Sequence, residues 1–195
     1  MLKFEKLIKI AGMIREYFPE TETIGCFSRL TDVTLKTDQE LADLHCAGYD
    51  MLTIGIETAD DEALRFMEKG YLAADIIEQC GRLDKAGIRY SFFYLTGISG
   101  EGRGERGAKI TAAVCNKLHP ILVGANMLTI YPNSKLYEEI QKGNWKEESF
   151  QENIRVSFPL SLSAFQISAQ KDLPRSKKSG LPSCRKNTGT SSAPQ

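Results

Sequence analysis

Along the first eighteen residues the apolar positions include Phe4, Leu7, Ile8, Ala11, Ile14 and Phe18. Steps of three and four place them on one helical stripe, which predicts a helix over 4–18 that Pro19 ends. Thr23–Ser28 is short and β-prone. Thr37-Asp-Gln-Glu40 has the form of a capping box, in which side chain and backbone at a helix start satisfy each other. Leu41, Leu44 and Ala47 give that helix an inward face, and Gly48 closes it. Met51–Ile56 is almost wholly apolar, as in a strand covered on both faces.

The alternation continues downstream. A short helix is expected over 60–69 with Gly70 behind it, and a longer one over 73–86 that Gly87 stops. Arg89–Thr96 reads as an aromatic-rich strand, 105–118 as a helix, 121–130 as an apolar strand and 133–141 as a last short helix. Leu44-His-Cys-Ala-Gly48 and Leu83-Asp-Lys-Ala-Gly87 each end a helix and precede a strand. A repeated helix–Ala–Gly–strand unit is what successive βα crossovers produce, so the pattern predicts an α/β fold with a parallel sheet.

From about Ser161 the periodicity stops and Ser, Pro, Lys and Arg dominate, with Asp172 the one acid. The expected division is an ordered domain over 1–152 and a disordered basic Ser/Pro-rich tail over 153–195. Over the whole chain Lys plus Arg equals Asp plus Glu at 25 each, so no global charge draws in nucleic acid or an anionic membrane. Charges break up the N-terminal residues, and no stretch approaches the ~20 apolar residues of a membrane span. A cytoplasmic location is the expectation. The cysteines, Cys26, Cys46, Cys80, Cys115 and Cys184, are far apart in sequence, without a CxxC metal or redox motif. Free thiols are expected of them.

Two stretches carry candidate chemistry. Gly102-Arg-Gly104-Glu-Arg-Gly107 is formally GxGxxG between a strand and a helix, the setting of a dinucleotide loop. The next strand ends Met127-Leu-Thr-Ile-Tyr131, without the acid that binds a ribose, and the loop is rich in charge, which favours a solvated turn. His45 and His119 are expected to be ordinary helix or helix-end residues, since a metal site needs three or four donors. In Arg89–Thr96, Tyr90, Phe92 and Tyr94 share one strand face, and Ser91, Phe93 and Leu95 the other. The second stretch is Gly55-Ile-Glu57-Thr-Ala-Asp60-Asp, continuing to Lys69-Gly70. A carboxylate at the C-terminal end of a buried parallel strand stands where α/β proteins place their sites. Glu57 equally suits a helix N-terminal acid, because Asp60 and Asp61 follow at once.

Several pieces in this order resemble the radical S-adenosylmethionine (SAM) enzymes, in the branch of the oxygen-independent coproporphyrinogen oxidases and Elongator-type catalytic subunits. Gly55-Ile-Glu57 through Lys69 is similar to their fourth-strand motif, and Leu41–Gly48 to the helix before it. Ala86-Gly87 through Thr96-Gly97-Ile-Ser-Gly100 resembles the fifth strand with its Gly-rich exit, and Leu128-Thr-Ile-Tyr-Pro-Asn-Ser134 the sixth. The resemblance covers about residues 1–150 and implies a partial (β/α)6 barrel that holds strands three to six and lacks strands one and two. It implies SAM and a [4Fe–4S] cluster as cofactors of the intact family. The CxxxCxxC cluster ligands do not occur among the five cysteines, so no metal ligand is assigned here. By the same resemblance Glu57 binds SAM polar groups, the ribose first, and Lys69 pairs with the SAM carboxylate. Gly97 and Gly100 let the cofactor approach the backbone closely. Some relatives carry an Asp just before the fifth-strand glycine, where this chain has Thr96. The chain is expected to be inactive in SAM cleavage as this fragment, with an open barrel edge suited to a partner chain or self-association. A non-catalytic α/β binding domain or interaction fragment is the alternative.

Overall fold

The computed structural model describes residues 2–159, with side chains through Ile154. Four strands, β1 Ile24–Arg29, β2 Tyr49–Glu57, β3 Arg89–Thr96 and β4 Val123–Met127, form one sheet in the order β1-β2-β3-β4. Every neighbouring pair is parallel. Parallel strands in chain order need a crossover between each pair, and crossovers of one hand keep the helices on one face. The helices are α1 Phe4–Tyr17, α2 Leu30–Thr34, α3 Asp38–Cys46, α4 Asp61–Phe66, α5 Ala73–Ala86, α6 Gly104–Cys115, α7 Lys135–Gln141 and α8 Phe150–Pro159. This α/β arrangement is the partial barrel that the sequence predicts.

The core lies between the sheet and the helices. Leu52, Ile54 and Ile56 of β2, Tyr90 and Phe92 of β3, Leu41 of α3 and Ile76, Cys80 and Leu83 of α5 are all buried in it. α1 forms a smaller cluster, Leu7 and Ala11 against Ile24, Leu44 and Tyr49, and the Tyr49 hydroxyl donates to the Leu7 carbonyl at 3.0 Å. The alternation of β2 and β3 has a consequence for function. Tyr90, Phe92 and Tyr94 turn inward to the helices, whereas Thr53, Gly55, Glu57, Phe93 and Leu95 turn to the open face. β2 is thus covered by helices on one face only, and its apolar run reflects a deep core on that side.

Local chemistry sets the boundaries. Thr37 Oγ1 accepts from the Glu40 N–H, and Glu40 returns to the Thr37 N–H, so the capping box starts α3 as expected. Such a cap contributes about 1 kcal/mol. Gly87 ends α5 with φ +78°, a conformation glycine adopts at little cost. α2 and α8 are additional to the sequence expectation, and α8 runs across the expected start of the tail at 153. The rest of the tail, Cys184 included, lies outside the described residues. Cys26, Cys80 and Cys115 are free thiols. Cys46 is disulfide-bonded, against the expectation for it. No described helix is long and apolar enough to cross a membrane.

Candidate functional site

All four strands point the same way, so their C-terminal ends share one rim, and the side chains of the open face converge there. Phe27, Ser28 and Arg29 of β1, Asp32 of α2, Thr53, Gly55 and Glu57 of β2, Phe93 and Leu95 of β3, and Asn126 of β4 line a cleft of about 430 Å³. That is within the range of a small-molecule or cofactor site. Phe27 and Phe93 stack across it with ring centroids 6.2 Å apart.

Glu57 is the distinctive residue of the rim. The β2–β3 register shifts between Gly55 and Glu57, and Glu57 takes φ +58°, one of two positive-φ residues other than glycine among the described residues. Backbone strain of this kind gathers at binding and catalytic sites. The Glu57 side chain folds back over Gly55, where a Cβ would stand 2.8 Å from its Oε1. Gly55 is therefore the residue that leaves room for this carboxylate. Lys69, from the loop after α4, brings its Nζ to 3.6 Å from Glu57 Oε1, both side chains being partly buried. Glu57 does not serve as the helix N-terminal acid. Asp60 caps α4 instead, its Oδ1 accepting from the Glu62 N–H at 3.2 Å.

Gly97 and Gly100 lie at the exit of β3, both with positive φ, and neither lines the cleft. A Cβ on Gly97 would stand 2.9 Å from Asn153 Oδ1, and one on Gly100 would stand 2.9 Å from Trp145 Nε1. The segment before and within α8 thus covers the side of each glycine from which a side chain would project. Both glycines are buried, and their backbone groups already have partners in the chain: the Gly100 N–H donates to the Gly97 carbonyl, the Arg103 N–H to the Gly100 carbonyl, and the Gly97 N–H faces Glu148. Sequence reasoning names Glu57 and Lys69 separately, for different groups of SAM, and the structure brings the two together as an ion pair. That reasoning misses Arg29, Asp32, Phe27, Phe93 and Asn126, whose signal is only their place at or near strand ends.

The GxGxxG stretch is filled. A Cβ on Gly104 would collide with the Glu148 carboxylate, and one on Gly107 with Ser99 Oγ. Arg103 and Arg106 hold Glu62 at 2.7 and 2.8 Å, so the loop charge is spent on α4. Glu148 is buried, and burial, with the Glu152 charge second, raises its carboxyl above the usual range. The Gly97 and Gly104 N–H groups face it and offset part of that cost. Neither Oε has a partner at full hydrogen-bond geometry among the described residues. This loop closes on the chain itself, which leaves no phosphate cradle. The Tyr94 phenol, whose tip stands near the strand exit, is buried against Ala108 and Ala112 of α6 instead of reaching a ligand.

The radical SAM superfamily model matches residues 2–109, more than half of the chain. The chain belongs to the radical SAM superfamily. An uncharacterized methyltransferase of Synechocystis sp. is 32% identical over 120 residues, covering 60% of this chain and 22% of the relative. The fold is shared with Elp3 of the archaeon Methanocaldococcus infernus at TM-score 0.63 and 15% identity, covering 80% of this chain and 40% of that one. It is shared with coproporphyrinogen III oxidase of Escherichia coli at 0.62 and 14%, covering 80% and 35%. The chain thus spans less than half the length of these relatives.

The two cofactors of the superfamily fit these residues unequally. The polar groups of the cleft suit SAM: Glu57 is an anionic acceptor with Lys69 beside it at 3.6 Å, Arg29 a cation and Asn126 an amide. A [4Fe–4S] cluster needs clustered thiolates. Cys80 and Cys115 lie in the core behind the sheet, and burial holds both thiols protonated, Cys115 pushed up to about 12. Among the described residues no three His, Cys, Asp or Glu side chains converge on a metal position. The described cysteines do not fit a cluster.

Proposed function

We propose that this chain is the SAM-binding side of a radical SAM protein and that it does not cleave SAM alone. Glu57 accepts from the ribose hydroxyls, and Lys69 leaves its ion pair to meet the SAM carboxylate. An ionised acceptor facing two hydroxyl donors makes the strong, charge-assisted kind of bond. The supporting observation is the Glu57 carboxylate, folded over Gly55 at the strand exit and paired with Lys69 at 3.6 Å. Cluster thiolates come from another segment, which adds strands at the open edge of β1 and supplies the reductive chemistry. The description of the Synechocystis relative makes methyl transfer from SAM the reaction class to assay in the assembled protein.

The test is equilibrium binding of SAM to the full chain, wild type against Glu57→Gln. The variant keeps the shape and loses the charge, and it should weaken binding by about ten- to a hundredfold, the equivalent of roughly 1.4–2.7 kcal/mol. Equal affinity would remove Glu57 from the site. Anaerobic reconstitution followed by EPR tests the second half. A [4Fe–4S]+ signal from this chain alone would refute it.

A further inference from the structure

Glu57 stands at the centre of a very tight turn. The Thr58 N–H donates to the Ile56 carbonyl at 2.6 Å, closing three residues around φ +58°. Such a γ-turn is rare and strained, and a side chain other than glycine makes it more so. Strain persists only where the surroundings over-determine the geometry. Here one side chain reaches the turn from behind. The Tyr71 hydroxyl lies 3.1 Å from the Ile56 carbonyl and 3.3 Å from the Gly55 carbonyl, the two that precede Glu57. The Tyr71 ring packs against the main core, which fixes the position of its hydroxyl.

We propose that Tyr71 is a positioning residue that clamps the Glu57 turn through the Gly55 and Ile56 carbonyls and so aims the Glu57 carboxylate at Lys69 and the cleft. The inference rests on the reading of Glu57 as the SAM acceptor. Burial, and after it the Glu57 charge, pushes the Tyr71 phenol up, so it stays a donor throughout the physiological range. Tyr71 also follows Lys69 by two residues. One short segment, 69–71, therefore supplies both the counter-ion of Glu57 and the clamp beneath it.

Tyr71→Phe removes the hydroxyl and keeps the ring. In the full chain, exchange of the Thr58 amide, read by NMR, should speed up about five- to tenfold, the factor expected for one net hydrogen bond. SAM binding should weaken about three- to tenfold in the wild-type background and less than twofold in the Glu57→Gln background. A clamp acting through Glu57 is non-additive with it, whereas a general packing role costs the same in both backgrounds. Equal losses, or an unchanged Thr58 amide, overturn the proposal. If Glu57→Gln leaves SAM affinity unchanged, the SAM reading falls, and Thr58 exchange alone decides the clamp. Should Tyr71→Phe not fold, adding Glu57→Gly relieves the strained turn and should restore folding; failure to restore it also overturns the proposal.

Discussion

At Glu57 the backbone prefers another residue. Left-handed geometry costs a side-chain-bearing residue of the order of 1–3 kcal/mol, and glycine would carry φ +58° freely. Glu57→Gly is therefore expected to raise unfolding stability by about 1 kcal/mol while removing the proposed SAM acceptor. Urea denaturation reads the first effect and SAM binding the second. Glu148 gives a second residue-scale prediction. Burial raises its carboxyl, so between the ordinary glutamate value and the raised one the folded chain holds a proton that the unfolded chain releases. Stability from this group is present below the ordinary value and lost as pH rises through the raised one. Glu148→Gln fixes a neutral side chain. Its stability advantage over wild type should be largest near pH 8 and shrink on acidification toward pH 4, as measured by denaturation at each pH. Residue chemistry was partly legible in the sequence. A carboxylate at a strand exit and a basic residue twelve positions later were visible, but their 3.6 Å pairing and the turn beneath Glu57 depend on Tyr71 and on a register shift that no local pattern records.

Among elements, type is more legible in the sequence than extent. β2, β3 and α5 follow from apolar periodicity bounded by glycines, and β3 and α5 match their expected limits. β4 is shorter than its apolar run: Ile121 and Leu122 bond to the β3 backbone at Tyr90 and Phe92 but are exposed just before the strand, and residues 128–130 follow its end at Met127. α2 is too short for periodicity to reveal. α8 lies where apolar spacing fades, and its Asn153, with Trp145 and Glu148 ahead of it, instead fills space over the β3–α6 loop. Packing between distant segments made this arrangement, so GxGxxG alone misleads there. Gly104→Ala is expected to destabilise by about 2–3 kcal/mol, as overpacking does. In a Glu148→Ala background the same change should cost under about 1 kcal/mol, because the colliding carboxylate is gone. A thermodynamic cycle by chemical denaturation checks both. Equal costs would show that the collision with Glu148 is not what requires a glycine.

For the molecule as a whole, the open face and the free edge of β1 matter most. Phe27 is 75% exposed on that edge strand. An unpaired strand edge beside an exposed aromatic side chain is a template for pairing. Sedimentation velocity of the full chain is expected to show concentration-dependent association, and Phe27→Lys should shift it toward monomer. Unchanged sedimentation of the variant would place the contact elsewhere. The fold class was legible because every βα unit announces itself locally. The cleft was less so, since it is assembled from the ends of four strands and each contributes only one to three residues.

The strand order equals the chain order, and that has a meaning in time as well as in space. No strand has to be inserted between two already paired, so the sheet can lengthen by one βα unit at a time as the chain leaves the ribosome. Once α5 has emerged, β1 and β2 have their helices and most of the apolar contacts of the core. Each later strand then docks on a finished surface. Assembly from one end also means that each stage of synthesis exposes a different leading edge. Chaperone demand should therefore rise and fall with each strand, instead of peaking once at chain release.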